Sequence, residues 1–317
     1  MWRWLRELFV GPLDPPYPTG PLPPAEAAPA YYPGSWDWLP PGWRELVILL
    51  ASGRAPGGLS HAGKLSLAGL RLRSLPSDLS VDGNLDLRQS QRLQRIGDGL
   101  TVGGRLEIGG AADLHALPWR STILKASPEA RRRFWSAPIF ARPSRDGQCP
   151  IEALPARLGV GGDLVLRACR RLATLPHDMD VGGSISLEGC SSLERLPDPF
   201  EVLGSLAIIG APRLLDLPSS LTIGGSLCLV GVGIASLPAG LRVGGDLTLQ
   251  GCARLDRLPD GLTVGGSLIL RACPVARLPD GLRVGRDLVC DRLRELSGIP
   301  SGFSAPGRTL FDRCPRL

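Results

Sequence analysis

The sequence predicts a repeat solenoid built on a stacked parallel β-sheet. Three observations predict it: an apolar-x-apolar triplet returning every 20 or 21 residues, a Leu-Pro step after most triplets, and a glycine before nearly all of them. Taking the second apolar residue of each triplet as anchor gives Leu67, Leu87, Ile108, Leu166, Leu187, Ile208, Leu229, Leu249, Leu270, Cys290 and, in degenerate form, Phe311. Successive spacings are 20, 21, 58, 21, 21, 21, 20, 21, 20 and 21 residues. No coil of this length buries its apolar face alone; stacking buries a continuous core.

Each part of the repeat has a physical role. The alternation in "LTL" or "LIL" fits a strand with one buried face. The Leu-Pro step ends regular structure, because proline lacks the N–H and restrains the residue before it. An apolar pair such as Leu262 and Val264 then returns the chain to the core. Glycine stands four residues before the anchor at Gly63, Gly83, Gly104, Gly162, Gly183, Gly204, Gly225, Gly245, Gly266 and Gly307, with Arg286 the one break. A corner with positive φ, or close contact between coils, explains it there.

The gap of 58 residues holds an insertion. "QCPIEALP" at Gln148 to Pro155 matches "ACPVARLP" at Ala272 to Pro279, which sets a twelfth register at Asp146. The insertion proper is read as 119–147, with Ser127-Pro128 starting a short helix through "EARRRFW". It gathers Arg131, Arg132, Arg133 and Trp135, residue types enriched at interface hot spots. Before the repeats, residues 1–42 form a Pro/Trp/Tyr-rich arm, expected as extended chain. Residues 43–56 ("WRELVILLASG") read as a helix with a glycine stop, capping the first coil. The solenoid then occupies 57–317 in about twelve coils, ending in a decayed repeat whose open edge invites self-association.

The segments "LTLQGCARLDRLPDGL", "ISLEGCSSLERLPDPF" and "LVLRACRRLATLPHDM" resemble the leucine-rich repeat. "LSLAGLRLRSLPSDL" is similar to the short bacterial class, which includes effectors delivered by type III secretion. The resemblance runs from about Gly57 to Leu317. It implies a curved parallel β-sheet with short extended or 3-10 segments on the convex side, and little helix beyond the cap and the inserted helix. It also implies that Cys149, Cys169, Cys190, Cys252, Cys273 and Cys314, three residues after the anchors, point inward as small apolar groups. One departure is clear: a valine-glycine corner, as at Val243-Gly244-Gly245, replaces the first leucine of the motif. "RVGGDLTLQG" is also similar to the β-helical repeats of filamentous haemagglutinins, which leaves a structural or adhesive β-solenoid as the alternative.

Apolar residues at 43% supply a sizeable core. The basic excess of 36 over 30 gives +6, but Lys64 and Lys125 are the only lysines, and the arginine bias reads as a GC-rich coding sequence. No aromatic-and-basic module motif accompanies it, so nucleic acid is not the expected partner. No apolar run approaches the roughly 20 residues of a membrane span. The first ten residues lack the pattern of a secretory signal, so a cytoplasmic protein is expected, with export as an effector the alternative that the resemblance supplies.

Chemistry is sparse. His61, His115 and His177 stand in unrelated registers, and no nucleophile elbow, phosphate loop or metal spacing appears. No cofactor, metal or enzymatic activity is expected. What remains is surface. Outward positions between the strand leucines run Ser186, Ala207, Cys228, Thr248, Ile269 and Val289, flanked by Arg167, Glu188, Ile209, Val230, Gln250 and Arg271. Such an apolar strip with charged edges predicts a protein-docking face, with Arg131, Arg132, Arg133 and Trp135 of the insertion as a second contact.

Overall fold

The computed structural model describes residues 49–50, 55–70, 72–110, 149–300, 303 and 305–317. They form a parallel β-solenoid with almost no helix: among the described residues, helix is confined to Leu49 and Leu50. Leu50, from the expected capping helix, is 1% exposed. The arm, most of the cap and the insertion lie outside the described residues, as does the register expected at Asp146.

The chain divides into two compact units. The first takes in the chain up to Gly162 with Leu166–Cys169 and Asp178–Asp180; the second holds Asp163–Val165, Arg170–His177 and Val181–Leu317. In the second unit the anchors sit on Ile185–Glu188, Leu206–Ile209, Leu227–Val230, Leu247–Gln250, Leu268–Arg271, Leu288–Asp291 and Thr309–Asp312. Each pairs in parallel with the next. Their alternation is strict because one face meets the core: Leu227, Leu229, Leu247, Leu249, Leu268 and Leu270 are fully buried. In the first unit Leu65–Ser66, Leu85–Leu87 and Leu106–Gly109 follow the same rule.

A second set of strands runs along the valine-glycine corner. In the second unit these are Phe200–Val202, Leu221–Ile223, Arg242–Val243, Thr263–Val264 and Arg283–Val284, again paired in parallel. The sequence predicts an apolar pair there but not a strand. It pairs because the buried valines hold successive backbones in register, so their N–H and C=O groups meet coil to coil. The corner that follows needs glycine for closeness and not for φ. A Cβ on Gly244 would lie 2.1 Å from the Gly224 carbonyl oxygen, and one on Gly265 lies 2.2 Å from that of Gly244.

Just past the corner runs a side-chain ladder that the repeat reading missed. The N–H of Ser184 donates to Asp163, Ser205 to Ser184, Ser226 to Ser205, Asp246 to Ser226 and Ser267 to Asp246, at 2.7–3.0 Å. Arg308 N–H donates to Asp287 at 2.7 Å and ends it. Its signal is the short polar residue in "GGD", "GGS" and "LGS", whose oxygen reaches the next coil's amide where a longer side chain overshoots.

The corner of the first unit also locates the insertion. Thr101–Val102 pairs directly with Gly159–Val160, and Gly162 N–H donates to the Gly104 carbonyl at 3.0 Å. No further corner strand stands between them. Cys149 abuts the strand end, for a Cβ on Gly109 would lie 2.9 Å from its Cβ. Leaving out 111–148, the step from Ile108 to Leu166 is 20 residues, an ordinary repeat with Cys149 at its cysteine position.

Candidate functional site

Strand alternation that buries the leucines turns the residues between them outward. In the second unit the registers are Ser186↔Ala207, Ala207↔Cys228, Cys228↔Thr248, Thr248↔Ile269, Ile269↔Val289 and Val289↔Leu310. Beside this row runs a second: Glu188, Ile209, Val230, Gln250, Arg271, Asp291 and Asp312. All the strip residues expected in this unit therefore fall into two adjacent ladders. Most are half-buried, because rungs about 4.8 Å apart shield one another; Ile209 stands clear at 37%.

Charge marks the ends of the strip. Ser186 Oγ donates to Glu188 Oε1 at 3.1 Å, which holds that carboxylate along the strand. Arg271 pairs with Asp291 at 3.0 Å. Between them Ile209, Val230 and Gln250 carry no charge. Arg167 belongs to the first unit, where its stem lies against Gly110: a Cβ there would come 2.7 Å from the Arg167 Cβ. Arg131, Arg132, Arg133 and Trp135 lie outside the described residues.

On the first unit the outward row is ionic, which the strip reading left out. Asp86 stands opposite Glu107, a like-charge pair that is unfavourable by itself. Arg88 clamps both, at 2.7 Å from Asp86 Oδ2 and 3.1 Å from Glu107 Oε2, and Arg105 adds a contact to Glu107 at 3.1 Å. The signal lay in "LDLR" and "RLEI", whose outward Asp and Glu share one register.

The cysteine row is structural in geometry. Cys149, Cys169, Cys190, Cys252 and Cys273 are buried free thiols, and Cys314 is half-buried. Cys252 Sγ reaches the Leu229 carbonyl at 3.7 Å and Cys273 Sγ that of Leu249 at 3.6 Å, each tying its turn to the coil before. The hydrogen bond between them pulls the Cys273 thiol down and pushes that of Cys252 up. Cys273 is only 3% exposed, so its sulfur is closed to reagents from solvent. Cys290 is pushed up to about 12, chiefly by burial. Cys228, in the strip, is also raised by burial. Among the described residues, no cluster of three or more His, Cys, Asp or Glu side chains is arranged to hold a metal ion, and no helix is long and apolar enough to cross a membrane.

No protein-family model, curated protein or solved structure matches this chain. What is established is the stacked parallel solenoid and its step of 20 or 21 residues.

Proposed function

We propose that the chain is a protein-binding module, docking its partner on the two outward ladders of the second unit, and that it performs no catalytic step. The observation that carries this reading is the uninterrupted row Ala207, Cys228, Thr248, Ile269 and Val289 with Ile209 and Val230 beside it. Apolar side chains aligned on an outward sheet face gain little where they are and more beneath a partner. The same reading takes the coils as leucine-rich repeats, on the strength of the Cys-x-x-Leu-x-x-Leu-Pro tail. It takes the protein to work in the cytoplasm, where free thiols stay reduced.

The test is affinity capture with the intact chain and with the double variant Ile209→Lys, Ile269→Glu. Lysine at 209 stands opposite Glu188, and glutamate at 269 stands between Thr248 and Val289, so neither creates a like-charge rung. Circular dichroism checks folding. A protein captured by the intact chain and lost with the folded variant is the expected result; one retained by both overturns this surface. A structural solenoid is the second reading, favoured by the unbroken coil-to-coil pairing of the anchor strands, and it gains if nothing is captured.

A further inference from the structure

Along the second of the two outward ladders, charge is antisymmetric about Val230. Glu188 stands two coils before it and Arg271 two coils after, while Ile209, Val230 and Gln250 are uncharged. The ladder beside it, Ser186, Ala207, Cys228, Thr248 and Ile269, carries no charged side chain over the same coils. A surface whose opposite charges lie equally far from one point complements itself under a two-fold axis through that point. Both charges can take a further partner. Arg271 meets Asp291 through Nε at 3.0 Å, its side chain is 45% exposed, and a guanidinium has further donors on both Nη atoms. Glu188 accepts from Ser186 on Oε1, and a carboxylate has lone pairs on both oxygens.

We propose that this face docks a second copy of the chain, face to face, about a two-fold axis running along the strand Leu227–Val230. The proposal rests on the docking face described above and names its occupant. Such an axis reverses the order of coils and keeps the direction of the strands. Glu188 of each copy then meets Arg271 of the other, Ile209 meets Gln250, and Ala207 meets Thr248. Val230 and Cys228 each meet their own counterpart on the axis. An axis along the stack of coils instead sets Glu188 against Ser186 and Arg271 against Ile269, and no ion pair forms. Moving the chosen axis half a coil toward Thr248 sets Glu188 against Asp291, a like-charge contact that opposes docking. Moving it half a coil the other way leaves Glu188 opposite Gln250. Charge therefore selects both the axis and the register. Five coils span only about 20 Å, so the interface belongs to the small, reversible class.

The test is sedimentation velocity of the full chain at concentrations up to about 0.5 mM. The wild type dimerises reversibly. Val230→Arg puts two like charges on the axis, and is folded and monomeric. Glu188→Arg and Arg271→Glu each set like charges face to face and weaken self-association roughly tenfold or more. An equimolar mixture of these two variants dimerises, because every charged contact across the axis is then between opposite signs. A structural role for either side chain gives no such rescue. A monomeric wild type overturns the proposal, as does a dimer undiminished by Val230→Arg or a mixture that associates no better than its components. Val230→Arg keeps the test decisive if Arg271→Glu does not fold. A monomeric wild type that still captures another protein, lost with the folded Ile209→Lys, Ile269→Glu variant, overturns the second copy as occupant and leaves the docking face standing.

Discussion

His61 sits where the next coils put valine: it pairs with Val81, which pairs with Val102. The fold thus buries an imidazole in an apolar register, and among the described residues its Nε2 has no hydrogen-bond partner. Burial lowers its pKa below the usual 6.5, and the opposing pull of the Lys64 backbone and of Asp82 is smaller. The unfolded chain therefore takes up the proton first, so stability falls as the pH drops below about 6.5 and that contribution is gone below the folded pKa. His61→Val removes the unpaired nitrogen and completes the valine row. It is expected to raise stability by about 1 kcal/mol near neutral pH, and to flatten the acid limb of a urea-midpoint profile. An unchanged acid limb contradicts this assignment. Backbone strain is local too: Ala168, Ala272 and Arg292 take positive φ (49–57°) in the turn before the cysteine register or its equivalent, where Gly189, Gly210, Gly231 and Gly251 serve other coils.

Strands, corners and the insertion show how far the sequence was legible. The anchors were legible because leucine at every second position, repeated at a fixed step, leaves one arrangement that buries them all. The corner strand was not, since Arg242-Val243 or Thr263-Val264 is two residues long and gains its pairing only from neighbours about twenty residues away. The outward ladders followed from alternation alone, whereas the Asp86, Arg88 and Glu107 clamp required comparing outward residues between coils. Composition reads the insertion as 119–147, which lies outside the described residues; Cys149 stacks against Gly109 where the described chain resumes. Deleting 111–148, so that Gly110 joins Cys149, is expected to preserve the circular dichroism of the solenoid. It also shortens the loop closed between the anchors Ile108 and Leu166 from 58 residues to 20, about one and a half doublings, worth about 1 kcal/mol of stability. Loss of cooperative unfolding contradicts this. The same deletion retains the partner if the strip alone binds it, and loses it if Arg131, Arg132, Arg133 and Trp135 make the second contact.

For the molecule as a whole, the proposed function rests on rows of side chains. Each row is set by the repeat, so every coil offers one outward residue per ladder, and chemistry along the face changes in steps of one coil. In the first unit those steps are ionic and mutually satisfied; in the second they are uncharged between Glu188 and the Arg271–Asp291 pair. A partner with a narrow apolar ridge fits the second. Cys228 reports on it directly, being a half-buried thiol within the row, while Cys314 at the last coil serves as reference and the other six cysteines are buried. The measurement is the rate of maleimide alkylation of Cys228 at alkaline pH, with and without the captured partner bound. The account predicts that the partner strongly slows Cys228 and leaves Cys314 unchanged. Alkylation of Cys228 at the same rate in the complex would contradict it.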